Sequence, residues 1–439
     1  MSFPSVASSV RSRFWLRTWA TATLFLAFAG QFVRNAFGYW VYSGIAIAGV
    51  LIAVAVWIAV RPEWKWRRIP KTLVAFLLLT TASLSWSAYP EGSSIGATTQ
   101  LMSGVAGLAL GLTLSWAEWV RTLSVALRWI LGLSLAFEAW VAFVLQQPLL
   151  PNYLSADGPV PKAFYWSRNL LLHGGPLDGI VGNRNLLGFI ALLAAIVFAV
   201  QLGMRTVRRG WGIAWLAFAV VMLGLTRSAT VLVVAALVVL AALFALWMRS
   251  REPGRRTPVY AIGLLGAAGL AVGTVALRGV LLSGLGRSED LTGRFDIWAT
   301  VSGMFAERPL AGWGWIGYWL PWVPPFGSLA KIDGVVYLQA HNAWLDIAMQ
   351  LGILGLIVFG AFVAVTLWRS WVLAVDRPLR DLNPRPAYQA SALLPWLLMI
   401  ALLGQSLTES RLLYEGNFIL LVMIAVLSKQ QQWRNAELP

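Results

Sequence analysis

The chain has 439 residues, of which 59% are hydrophobic and only 12% charged, and its mean hydropathy is +0.71. Soluble domains carry roughly a quarter charged residues, so a soluble globular protein is excluded, and the net charge of +16 reads as basic loops flanking membrane helices, not as a nucleic-acid surface. Cysteine is absent, which excludes disulfide frameworks, thiolate metal sites, iron–sulfur clusters and cysteine nucleophiles.

Apolar runs without strand-like alternation predict helices and not a barrel. In chain order they lie near 14–33, 38–60, 72–88, 94–116, 122–145, 186–204, 211–226, 228–248, 259–280, 342–368, 388–407 and 413–428. The expectation is an all-α polytopic membrane protein, a single integral membrane domain over 1–439 with about 12 transmembrane helices. Arg11, Arg13 and Arg17 precede the first run, which reads as a first span and not a cleavable signal. With a cytoplasmic N-terminus, 22 of the 34 Lys and Arg fall in cytoplasmic segments and 11 on the opposite face, with Arg128 inside a span. That bias satisfies the positive-inside rule, and an even count returns both termini to the cytoplasm.

Length accumulates on the outer side. Residues 146–185 form one long loop there, and residues 281–341 form a larger one leading into a helix that starts at His341. Both are rich in Pro, Gly and aromatics, which predicts a folded cap. Within the second, Phe295 to Ala306 reads as a helix ended by Glu307-Arg308-Pro309. Of the 25 Trp, several sit at span ends, including Trp57, Trp64, Trp66, Trp116, Trp119 and Trp211, where an aromatic belt is expected. The loop residues Trp298, Trp313, Trp315 and Trp322 are candidates for stacking on sugar rings.

Chemistry concentrates on the same outer side. His341 opens the apolar helix in Ala340-His341-Asn342-Ala343-Trp344. The partial positive charge of a helix N-terminus disfavours an imidazolium, and a neutral imidazole accepts protons. Asp346, deeper on that helix, is placed to orient a network. The other histidine, His173, lies beside Gly174-Gly175 and reads as a solvated loop residue. Arg184, Arg227, Arg294 and Arg411 all fall on this face, where orientation needs no positive charge, and arginine there binds phosphates or pairs with acids. Arg294 with Asp296 and Arg411 with Glu409 are the nearest such pairs in the chain. Inside the spans, Arg128 and Glu138 share one helix and are placed to pair or snorkel. No metal site is expected, since there is no Asp-x-Asp pair and the two histidines have no carboxylate cluster beside them. Glu289-Asp290 reads as a solvated turn. No Gly-x-x-x-x-Gly-Lys-Ser/Thr loop is present, so nothing points to ATP coupling, and no cofactor is called for.

The pieces Gly182-Asn183-Arg184-Asn185, Leu225-Thr226-Arg227-Ser228, Gly293-Arg294-Phe295-Asp296-Ile297-Trp298, Gly312-Trp313-Gly314 and Ala340-His341-Asn342 followed by Leu345 and Gly352 fall in order over 182–355. With them the chain resembles the bacterial O-antigen ligase and polymerase superfamily, most closely the O-antigen ligases of lipopolysaccharide assembly. It departs from many members in carrying Arg227-Ser228 in place of Ser-Arg, and Gln350 in place of an acid. The resemblance implies a GT-C-like glycosyltransferase of the bacterial inner membrane with a periplasmic active site. Such an enzyme moves a glycan from undecaprenyl diphosphate to an acceptor, without metal and with inversion. The donor would be an undecaprenyl-diphosphate-linked glycan, the acceptor lipid A–core, and membrane lipids the surroundings. On this reading His341 is the catalytic base, Arg184, Arg227, Arg294 and, less directly, Arg411 hold the diphosphate, and Asn342, Asp346, Glu409 and Trp298 support them. Polymerisation on a second lipid-linked glycan, glycan transfer to protein, or transport of a lipid-linked glycan are the alternatives.

Overall fold

The computed structural model describes residues 10–60, 67, 69–155, 158, 160–276, 289–332, 335–376 and 389–436. The helices are α1 (Val10–Val60), α2 (Lys71–Ala82), α3 (Pro90–Thr113), α4 (Trp116–Trp140), α5 (Arg184–Gly203), α6 (Arg209–Leu225), α7 (Ala229–Arg249), α8 (Thr257–Ala276), α9 (Glu289–Glu307), α10 (Phe326–Leu329), α11 (Ala343–Val375), α12 (Leu394–Ser406) and α13 (Glu415–Ala436). Between α10 and α11, β1 (Lys331–Ile332) and β2 (Val335–Val336) pair antiparallel, with Lys331 opposite Val336. Among the described residues, six helices are long and apolar enough to cross a membrane, and three shorter apolar helices accompany them. The protein is therefore a helical, multi-pass membrane protein. The end of the ninth apolar run (277–280), the start of the second outer segment (281–288), and the loop residues Arg61, Lys65, Arg68, Arg377, Arg380 and Arg385 lie outside the described residues.

The first two expected spans form one helical run without an intervening loop. Its backbone leaves helical geometry at Gly38 (φ 83°, ψ 174°). A continuous helix would separate Gly30 from Tyr42 by about 18 Å, yet the Tyr42 ring lies close enough to Gly30 to block any side chain there. The chain thus doubles back at Gly38, and Arg34 on one arm covers the ring of Tyr42 on the other at 5.6 Å.

A second break has more bearing on function. Gly352, inside α11, adopts φ 64° and ψ −158°, which interrupts the helical hydrogen-bond ladder. The loop after α9 fills the gap with its own backbone. Trp313 and Gly314 donate N–H bonds to the carbonyls of Met349 (3.1 Å) and Gln350 (2.9 Å), while Ile353 and Leu354 donate to Pro309 (2.8 Å) and Leu310 (3.1 Å). The two backbones touch. A Cβ on Gly352 would sit 2.4 Å from the Leu310 carbonyl carbon, and one on Gly312 would sit 2.4 Å from that of Gln350. The Gln350 amide completes the clamp, accepting from Ile316 and Gly317 N–H (2.9 Å each) and donating to the Gly317 carbonyl at 3.2 Å. A carboxylate there has no donor for the third bond. Replacing Gly352 by Ala is expected to cost at least about 1–3 kcal/mol, as overpacking does, with left-handed backbone strain added. Thermal unfolding in detergent reads this as a lowered midpoint, and a midpoint equal to wild type would count against the clamp.

Packing follows the rules of apolar solvent. In α3, Gly107 and Gly111 stand four residues apart and admit Val422 and Val426 of α13 to within 2.7 and 2.9 Å of where a Cβ would be, a small-residue stripe that lets helices approach. The cap has its own core, where Tyr89, Ile297, Val301, Ile316, Trp319, Phe326 and Ala340 are buried together with Met349 of α11. α9 and the start of α11 are thereby held as one body.

Three expectations change. Arg128 and Glu138 do not pair, since ten residues on a helix put them nearly three turns apart. Arg128 donates to Gln201 (3.1 Å) and lies over Phe198. Glu138 receives Ser167 (2.8 Å) and the N–H groups of Asp178 (3.1 Å) and Gly179 (2.7 Å), anchoring the first outer loop. Glu289-Asp290 is not a turn but the first residues of α9. Trp315 and Trp119 are fully buried, so the first cannot stack on a sugar and the second is no belt residue. Trp313 donates to the Met304 carbonyl and packs beneath Arg308, whereas Trp322 is exposed.

Candidate active site

α11 begins with Asn342 as its cap. The Asn342 side-chain oxygen accepts from the N–H groups of Trp344 (3.0 Å) and Leu345 (3.2 Å), which satisfies two of the donors every helix start leaves open. Its own N–H donates to Ser410 Oγ (3.2 Å), and its amide donates to the Leu407 carbonyl (3.3 Å). His341 is the residue before the cap, with φ 50°. It therefore stands outside the helix, and the field of the helix end is not what chiefly acts on it.

The neighbouring Ala340 is pinned from both sides. Its N–H donates to Asp346 Oδ2 (3.1 Å), and its carbonyl accepts from Trp298 Nε1 of α9 (3.0 Å). Asp346 is fully buried and also receives Trp319 Nε1 at 2.9 Å. Asp346 and Trp298 thus hold the backbone that presents His341, and no bond joins either side chain to the imidazole among the described residues.

The imidazole faces Glu409. His341 Nδ1 lies 3.0 Å from Glu409 Oε2, and Arg294 Nη2 lies 3.0 Å from Oε1. Gln339 Nε2 donates to Oε2 (3.2 Å) and Asn185 Nδ2 to Oε1 (3.5 Å). The carboxylate is largely buried, with its side chain 8% exposed. Burial alone would push its pKa up. The charge and hydrogen bond of His341 and the charges of Arg294 and Arg411 outweigh burial and bring it down to about 2. A carboxylate at Nδ1 selects the tautomer with its proton there, which leaves Nε2 to accept another.

The arginines divide into three groups. Arg294 is in direct contact with the hub at Glu409. Arg411 bonds Glu415 at 2.8 Å and lies 5.4 Å above the Tyr318 ring, so its partner is Glu415 and not Glu409. The expected Arg294–Asp296 pair gives way to Arg294–Glu409, because residues two apart on a helix point away from each other. Arg184 is the first residue of α5, and its N–H donates to Asp178 Oδ1 (3.1 Å). Arg227 has φ 47° and sits between α6 and α7. The neighbours of these two are joined, as Ser228 Oγ lies 2.7 Å from Asn185 Oδ1, and Asn185 in turn reaches Glu409. Both arginines therefore flank a hydrogen-bond chain that ends at the hub. His173 is exposed in a turn.

Several contributors lie outside the expected set. Gln339, Tyr318 and Glu415 carry no motif signal, and Asn185 and Ser228 stand in the quoted pieces only as neighbours of candidate arginines. Arg168 pairs with Asp178 at 2.9 Å and so steadies the loop before Arg184. Burial, opposed by Arg168, raises the Asp178 carboxyl above its usual range. Tyr318 Oη, Gln339 Oε1 and Arg411 Nε are buried without a hydrogen-bond partner among the described residues. Such groups are rare in folded proteins. Among the described residues, no three His, Asp or Glu side chains are grouped to hold a metal.

The arrangement is an oriented imidazole beside a buried carboxylate, edged by guanidinium groups. It can take a proton from a hydroxyl and neutralise an anionic leaving group. No curated protein matches the chain. Residues 212–360, about a third of the chain, match the family model described as O-Antigen ligase, and this stretch contains Arg227, Arg294, Trp298, His341, Asn342 and Asp346. Through that stretch, the chain is similar to the O-antigen ligase family.

Proposed function

We propose that the protein is a metal-independent, inverting glycosyltransferase that moves O-antigen polysaccharide from undecaprenyl diphosphate to lipid A–core. The observation that carries this reading is the His341–Glu409–Arg294 cluster, with both of its contacts at 3.0 Å. His341 and Arg294 lie within the family-matched stretch. His341 Nε2 accepts the proton of an acceptor sugar hydroxyl. The oxygen so freed attacks the anomeric carbon from the face opposite the diphosphate. The bond from that carbon to the diphosphate oxygen breaks, and the lipid diphosphate departs with the electron pair.

Arg294 donates to Glu409 through one nitrogen, and a guanidinium carries five N–H groups in all. With Arg184, Arg227 and Arg411 it spreads the charge of the departing oxygens, which is where most of the stabilisation belongs. Glu409 is the positioning residue, setting the tautomer and the ring direction of His341. Asn342, Asp346 and Trp298 fix the backbone on either side.

The site belongs on the periplasmic face of a twelve-span chain of the inner membrane, with both termini in the cytoplasm. The 22-to-11 division of Lys and Arg supports that orientation. A strain lacking the protein tests the acceptor. Its lipid A–core is expected to be bare of long glycan while lipid-linked polysaccharide accumulates. Lipid A–core capped by a single repeat would instead indicate a polymerase.

A further inference from the structure

A cavity of about 240 Å³ lies far from His341, between the start of α1 and the start of α4, lined by Arg13, Arg17, Ser115, Ala117, Glu118 and Arg121. Glu118 receives Arg13 Nη1 (3.2 Å) and Arg17 Nε (3.1 Å) while also capping α4 through Ser115. One carboxylate thus pairs with two of the three arginines that line the cavity, and the lining is net cationic. Solvated lysines in loops suffice to orient a membrane protein. Three arginines around one cavity make a more specific arrangement, because their planar forks match phosphate oxygens.

Its depth is set by the helices. About 26 Å of helix, kinked at Ala29, separates Arg17 from Arg34, close to the ~30 Å of a bilayer's hydrocarbon. Arg34 covers Tyr42, which donates to Glu415, the partner of Arg411. The cavity therefore opens at the membrane boundary opposite the candidate active site. α4 agrees, since it starts at the cavity and ends near Glu138, which holds the first outer loop. Beside the cavity, Phe14 and Trp15 are each 60% exposed and meet edge to face at 5.5 Å. A soluble anion gains nothing from these rings, whereas a lipid with apolar tails packs against them.

We propose that this cavity holds the phosphate of an anionic phospholipid in the leaflet opposite the active site. The test compares wild-type protein with Arg121→Gln and with Arg17→Gln/Arg121→Gln, purified in detergent. Each is incubated with phosphatidylglycerol or phosphatidylethanolamine, and bound lipid is counted by native mass spectrometry. A parallel arm adds inorganic phosphate as competitor, and Arg209→Gln serves as a charge-matched control. Wild type and the control are expected to retain phosphatidylglycerol preferentially. Arg121→Gln, at an exposed position where folding is not at stake, should lower its affinity about fivefold, the worth of one interfacial arginine, and the double variant should lower it further. Equal retention by Arg121→Gln and wild type, or no preference between the two lipids, would overturn the proposal. Displacement of the lipid by inorganic phosphate would overturn it too, by marking the cavity as a soluble-anion site.

Discussion

Replacing His341 by Ala is expected to lower glycan transfer by about 10²–10⁴-fold, the usual contribution of a positioned base, while lipid-linked donor still binds. The two effects would separate because, in the proposed mechanism, the imidazole acts on the acceptor hydroxyl and the arginines act on the diphosphate. The fold should survive, since the cap of α11 is Asn342 and the backbone is pinned at Ala340. Transfer assayed with purified variant, alongside donor binding measured separately, distinguishes the roles. Near-wild-type transfer would remove His341 from the mechanism. Loss of donor binding in step with transfer would make it a binding residue instead.

Glu409→Gln should have the second-largest effect, and it should reach both activity and stability. The substitution keeps the volume but removes the charge that Arg294 and His341 share. Leaving one member of a largely buried ion pair alone costs about 3–5 kcal/mol. An amide also offers a donor to Nδ1, so the tautomer is no longer fixed. In serine proteases, losing the carboxylate behind the catalytic histidine costs about 10⁴-fold, and a loss of about 10²-fold or more is expected here.

The pH dependence has a definite sign. Glu409 is held down to about 2 in the folded protein, below the ~4.3 of an unfolded glutamate. Its stabilisation is present in full above about pH 4.3 and fades as pH falls toward 2. The gap in unfolding midpoint between wild type and Glu409→Gln should therefore be wide near neutrality and close in acid. A gap that is constant with pH would mean that the carboxylate's charge is not what holds the site.

The helices were readable in the sequence because membrane solvent writes them in long apolar runs, and the described part of each expected run falls mainly on a helix. The break at Gly352 was not readable, because Ile353 and Leu354 continue the apolar pattern and the backbone that fills the gap comes from residues 309–314. Likewise, the turn at Gly38 leaves no polar loop to mark it. At the candidate site, motif residues pointed to His341 and Arg294, and Glu409 was expected as support, but not as the group that joins the two. Glu409 is 68 positions from His341 and 115 from Arg294, so sequence proximity pointed instead to Arg411, whose acid is Glu415, one helical turn on. Gln339 and Asn185 were missed for the same reason, since their polar partners are brought to them only by folding.

Transfer by the purified protein alone tests the proposed activity most directly. The protein would be incubated with undecaprenyl-diphosphate glycan and lipid A–core, with chelator present throughout. The expected products are a glycan-extended lipid A–core and released undecaprenyl diphosphate, formed at an undiminished rate. No product, or product only after a divalent cation is restored, would contradict the proposal.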